Sequence, residues 1–190
     1  MTKDSVDTET RILDLAEHLI RKNGYNGFSF RDIATGVGVK SSSVHYYFPT
    51  KAELGAKVAR RYTDRFLESL DVPDPNSGSA EDAVAIMHGA FFNSLKRDGQ
   101  MCLCGVLAAE SAGLPEEVIA EAKSFFKRTT DWLTANLQKS SWGKNRTKDK
   151  IEQQSMAILA QLEGGLLIAR VRKEPELFQI LMPALTAEQN

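Results

Sequence analysis

From residue 12 almost to its end, this chain repeats apolar side chains at intervals of three and four, the spacing that gathers them on one face of an α-helix. Ile12, Leu15, Ala16, Leu19 and Ile20 form the first such stripe. Asp7 or Thr8 is placed to cap its free N–H groups, and Gly24 to end it in the left-handed conformation glycine adopts without strain. Ser29 and Asp32 have the spacing of a capping box and open a second, short helix through Ile33 and Ala34. A tight turn at Val37-Gly38-Val39 precedes a third short helix over residues 41–47. Pro49-Thr50-Lys51-Ala52-Glu53 supplies a break and a further capping box. The long fourth helix that follows, residues 50–71, carries Leu54, Val58, Tyr62, Phe66 and Leu70 at spacings of four.

Residues 71–79, rich in Pro, Asp, Ser and Gly, read as the one clear loop. Beyond it the helical period resumes. Ala83, Ile86, Met87, Ala90, Phe91 and Leu95 line a fifth helix, and residues 103–112 a sixth, closed by Gly113. Pro115 with Glu116 and Glu117 starts a seventh, which carries Val118, Phe125, Phe126, Thr129, Trp132 and Leu137. A polar loop over residues 140–150 leads to an eighth helix over 151–172. Glu174-Pro175 separates that from a ninth over 177–185. No stretch alternates in the manner of a β-strand, so the predicted class is all-α with about nine helices. The expected division is an N-terminal domain of residues 1–54 and a C-terminal helical domain of residues 55–190, joined by the fourth helix.

Composition narrows the reading. With 42% hydrophobic and 26% charged residues, the chain has the balance of an ordinary soluble globular protein. Its longest apolar stretch, residues 157–169, is interrupted by Gln161 and Glu163 and falls short of the roughly 20 residues needed to cross a bilayer. The polar, acidic start lacks the marks of a secretory signal, so a cytoplasmic location with no membrane partner is expected. The net charge of −1 argues against coating nucleic acid by bulk basicity. Residues 18–61 nonetheless hold eight basic side chains against two acidic ones, which suggests one face made for a polyanion.

Two short helices joined by a glycine turn and supported by a longer one make a helix-turn-helix, whose later helix presents its N-terminal side chains to the DNA major groove. Here that helix begins Lys40-Ser41-Ser42-Ser43 and continues through His45, Tyr46 and Tyr47, with Val44 and Phe48 turned inward. The run from Thr10 through Gly24-Tyr-Asn-Gly-Phe-Ser-Phe-Arg-Asp-Ile-Ala34, Gly38-Val39 and Tyr46-Tyr-Phe-Pro-Thr-Lys-Ala-Glu-Leu54 resembles the TetR/AcrR family of bacterial repressors. The resemblance implies a homodimeric transcriptional regulator that binds a palindromic operator through an N-terminal helix-turn-helix. It also implies a variable C-terminal domain for dimerisation and for an unidentified small-molecule effector. By position, Arg31, Lys40, Ser41, Ser42, Ser43, His45 and Tyr46 would approach bases or backbone, while Tyr47, Thr50 and Lys51 would hold phosphates. Lys40, Ser41 and His45 depart from the residues common in the family at those places.

In the body, Phe66, Met87, His88, Phe91, Cys102, Glu110, Phe125, Thr129, Trp132, Met156, Leu159 and Glu163 are candidates for an apolar pocket with a few polar anchors. The eighth helix is apolar on more than one side. One side needs cover from outside its own domain, and the resemblance implies that Leu162, Gly165, Leu166, Ala169, Phe178 and Leu181 lie at a four-helix dimer interface, the alternative being a central core helix of a monomer. Cys102 and Cys104 form a poor metal set, and no metal or cofactor motif is found. Thiol sensing of an oxidant or electrophile through these cysteines remains open beside the bound-ligand reading. A small thiol enzyme is the alternative from another class, but no paired nucleophile and base or phosphate loop supports it.

Overall fold

The computed structural model describes residues 3–74 and 78–186, the side chains of 3–6, 97 and 98 excepted. Pro75, Asn76 and Ser77, the centre of the expected 71–79 loop, lie outside the described residues. Described residues form helices and turns but no strand. The helices are α1 (Lys3–Asn23), α2 (Phe30–Val37), α3 (Ser41–Tyr47), α4 (Lys51–Glu68), α5 (Ala80–Asp98), α6 (Leu103–Ala109), α7 (Glu116–Lys139), α8 (Lys148–Arg172) and α9 (Leu177–Ile180). None is long and apolar enough to cross a membrane.

Several boundaries differ from expectation: α1 already runs from Lys3, so Asp7 and Thr8 lie inside it and do not cap it, and α4 ends at Glu68, three residues short. α6 ends at Ala109 and gives way to a 3₁₀ turn over Ser111–Gly113. α8 starts three residues earlier than expected because the Thr147 side chain accepts from Lys150 N at 3.4 Å and caps it. α9 stops at Ile180, five residues short. Pro183 has no N–H to continue a helix and disfavours helical geometry at Met182. The backbone beyond is held by Gln154, whose Nε2 donates to Ala184 O at 3.1 Å and whose Oε1 accepts from Thr186 Oγ1 at 2.8 Å.

Two compact units emerge, and they do not follow a single cut after Leu54. The first comprises the described residues up to Asp64 together with Leu103–Phe125; the second comprises Arg65–Cys102 and the described residues from Phe126 onward. In the first unit Ile12, Ala16, Ile20, Ile33, Val44, Leu54, Val58, Leu107, Val118 and Phe125 are buried. The physical reason α6 joins it is visible at Glu110, whose Oε2 accepts from Tyr25 N at 2.8 Å. In the second unit Met87, Phe91, Leu133, Leu137, Ile158, Leu162, Leu166 and Phe178 make the core, with α5 and α9 against α8. There Phe66 meets Phe91 edge-on at 5.0 Å between centroids.

Candidate nucleic-acid interface

The geometry of α2 and α3 is set locally. Ser29, in extended backbone, accepts at Oγ from Asp32 N at 3.3 Å, and its own N–H donates to Asp32 Oδ2 at 2.7 Å, completing the capping box. The Ser29 hydroxyl, which also donates to Asp32 Oδ2 at 2.7 Å, and after it the Ser29 N–H hold the Asp32 carboxyl below its usual range. α2 ends at Gly38, which sits at φ 77°, ψ 37° and donates to Ala34 O at 2.9 Å, a geometry that favours glycine. From α1, the Arg11 guanidinium donates to the Val37 carbonyl and so fastens the end of α2. One side of α3 is then anchored by Val44 and by Phe48 just after it, 0% and 2% exposed.

What this leaves outward is the expected reading surface. Lys40, Ser41, Ser42, His45 and Tyr46 are exposed and Ser43 is half-buried. Tyr46 stands out at 82% exposure, a large aromatic ring with little intramolecular cover. Tyr47 is half-buried and meets the Tyr46 ring edge-on at 5.3 Å. His45 packs against Phe30 at 4.7 Å, so its ring is partly committed to joining α3 to α2. Arg31 is exposed in the first turn of α2.

Two phosphate-holding candidates have structural work of their own. Thr50 accepts at Oγ1 from Glu53 N at 3.1 Å and caps α4. Lys51 is half-buried: its Nζ donates to Phe28 O at 2.6 Å and lies 4.3 Å from the Phe28 ring centre and 4.9 Å from that of Tyr25. Burial pulls its pKa down, with Asp32 and Glu110 opposing. The basic surplus of residues 18–61 is similarly drawn down. Lys57 pairs with Glu9 at 2.5 Å, Arg61 with Asp14 at 2.5 Å, and Arg60 Nε donates to Glu121 at 3.0 Å. The acids lie outside the window in which the surplus appeared.

Glu110 is a correction to the pocket set. It belongs to the first unit, where it bonds Tyr25 N and leaves no room at Gly24, whose Cβ would stand 2.0 Å from Glu110 Oε1. Glu110 and Tyr25 are 85 positions apart, so no local pattern links them. Glu110→Ala is expected to cost about 1–3 kcal/mol, because it strips a charged acceptor from a buried N–H. Thermal unfolding of the variant checks this.

The other pocket candidates divide as well. Phe125 lies in the first unit against Tyr62, at 5.9 Å. Met156 is 50% exposed and lines no interior. Thr129 turns its hydroxyl to Phe126 O on its own helix, at 3.1 Å. His88 Nε2 lies 2.9 Å from Phe178 O, and its ring stacks on Phe178 at 4.6 Å. Phe66, Met87, Phe91, Cys102 and Leu159 are buried, and Trp132 is half-buried, all in the second unit. Glu163 is the unusual member: both carboxyl oxygens are shut from solvent, and no N–H or O–H donor among the described residues meets them. Cys104 is buried in the first unit, and neither cysteine forms a disulfide.

The expected interface set lies inside the subunit. Leu162, Leu166, Ala169 and Phe178 are at most 1% exposed, and a Cβ at Gly165 would stand 3.2 Å from the Phe178 ring and 3.7 Å from Leu181. Gly165 thus admits α9 of its own chain. On α8 and the segment after it, the large apolar side chains that face outward are Met156, Leu167, Ile168, Val171, Ile180 and Met182. Met156, Leu159 and Leu167 make a second apolar stripe along α8, and of these three only Leu159 is buried. Periodicity alone did not say which stripe the subunit buries.

Comparison with known proteins agrees with this architecture. Residues 12–58 match the family described as bacterial regulatory proteins, tetR family. Residues 80–182 match the C-terminal domain described as transcriptional regulator LmrA/YxaF-like. A TetR transcriptional regulator from Legionella pneumophila is 33% identical, with 90% of this chain and 91% of that one covered at a TM-score of 0.80. A TetR-family regulator from Agrobacterium tumefaciens is 27% identical over 94% and 95% of the two chains, also at 0.80. A helix-turn-helix-type transcriptional regulator in the lacX 3′ region of Lactococcus lactis subsp. lactis is 25% identical over 88% of this chain and 86% of its own. The chain belongs to the TetR family and is a DNA-binding transcriptional regulator.

Proposed function

We propose that this regulator is a homodimeric repressor that reads a palindromic operator with α3 and is released from it by a small molecule bound in the second unit. The observation that carries the dimer is the outward apolar face of α8 and the segment after it, where Leu167, Ile168, Val171, Ile180 and Met182 are each about half or more exposed. An uncovered face of this kind calls for a partner, and a two-fold axis through α8 supplies the same face from a second copy. Two α3 helices entering successive major grooves would then lie about 34–36 Å apart, or a multiple of that.

Release by a bound ligand is favoured over release by thiol modification because Cys102 and Cys104 are 1% and 0% exposed, giving an electrophile in solvent little access. Chain continuity offers the route between ligand and DNA. The chain passes from one unit to the other inside α4 and inside α7, and enters the first unit again at the start of α6.

Side-chain roles are separable by salt dependence. Tyr46→Ala is expected to lower operator affinity about tenfold or more while leaving binding to unrelated DNA nearly unchanged. Lys51→Ala should weaken both alike, through the loss of its tie to Phe28 O and of its charge, and flatten the salt dependence. Titrating each variant with operator and with random-sequence duplex at two salt concentrations tests the division. Equal losses on the two duplexes for both variants would refute it.

A further inference from the structure

Glu163 is in a position that folded chains rarely tolerate. Buried carboxyl oxygens are ordinarily matched by donors, because an ionised group in apolar surroundings loses its hydration and gains nothing in return. Here no N–H or O–H donor among the described residues reaches either oxygen, and the one group that meets the carboxyl is the Cys102 thiol, a weak donor. At helical spacing along α8 it lies between Leu159 and Leu166, both buried. Burial raises the carboxyl pKa to about 7, and the hydrogen bond from the Cys102 thiol pulls the other way. No basic side chain figures among the groups acting on it. Gly164, next on the helix, has no atom within 4 Å of where its Cβ would stand, so α8 keeps no bulk at the adjoining position.

We propose that the Glu163 carboxyl, with Cys102 beside it, is the polar end of the effector site, and that the effector is an organic amine cation on an apolar body. The inference rests on the ligand-responsive reading above. A protonated amine brings what the site lacks, a positive charge and up to three N–H donors for a carboxyl that only a thiol now meets. An apolar body matches the leucines on the same face. An anion would meet a group that ionises near neutral pH and has no cation to share. An alcohol offers one donor and no charge.

The test uses the full-length protein and a matched series: 4-phenylbutylamine, 4-phenylbutanol and 4-phenylbutyrate. Calorimetry gives affinities for the free protein, and operator titration in the presence of each gives the response. The amine is expected to bind at least tenfold more tightly than the alcohol or the acid and to weaken operator binding. In Glu163→Gln, with folding verified by circular dichroism, the preference for the amine should vanish. The ranking in the wild-type protein stands independently of whether the variant folds. Preference for the alcohol or the acid, with release of DNA, would overturn the amine inference and leave the ligand-responsive reading standing. Failure of all three to bind at millimolar concentration, or an amine preference undiminished in Glu163→Gln, would also overturn it.

Discussion

Leu167→Glu is expected to leave the subunit folded, convert the dimer to a monomer, and weaken operator binding by about 100-fold or more. Leu167 is 57% exposed on α8, so a charged side chain there remains solvated in the isolated subunit and disturbs none of its core. Across a two-fold axis the same change places two carboxylates in an apolar contact, where an interface residue of this kind contributes about 2–4 kcal/mol. Losing the dimer also loses the second half-site, which multiplies the effect on DNA. Light scattering at micromolar concentration and operator titration measure the two consequences. A variant that stayed dimeric with wild-type affinity would place the interface elsewhere.

The second large effect is a pH-dependent stabilisation by Glu163→Gln. The carboxyl has an ordinary value of 4.5 and is pushed up to about 7 by burial in the folded chain. Between those values the folded state holds the proton more tightly than the unfolded state, so stability is fully present below 4.5 and falls as pH rises to about 7. A lift of that size corresponds to about 3 kcal/mol lost by pH 8. Glutamine keeps the shape and cannot ionise. The variant should therefore match wild type near pH 4.5 and exceed it by about 3 kcal/mol at pH 8, read by urea unfolding of the pair at each pH. A gap independent of pH would mean that Glu163 does not carry this burden.

The DNA-contacting head was the most legible part of the chain, because its signals are local. The Ser29–Asp32 box, the left-handed Gly38 and the inward Val44 and Phe48 each act within a few residues, and the structure has all of them. Signals that depend on distant partners were not legible. Glu110 carries no mark of its tie to Tyr25, Lys51 none of its tie to Phe28, and the acids that offset Lys57, Arg60 and Arg61 stand on α1 and α7. Helix α8 shows a different limit. With apolar residues on two sides, its pattern established that both need cover but not that Gly165 receives Phe178 of the same chain. The isolation of the Glu163 oxygens from N–H and O–H donors is visible only once every neighbour has a position.

The central claim is that α3 reads an operator as one of a symmetric pair. Its most direct test is a footprint of the wild-type protein on the genomic fragments it selects, beside the same footprint with Tyr46→Ala. The expected result is protection of an inverted repeat with half-site centres about 34–36 Å apart, or a multiple of that, lost or made indiscriminate by the substitution. Protection of a single unrepeated half-site, or a footprint that Tyr46→Ala leaves unchanged in position and affinity, would contradict it.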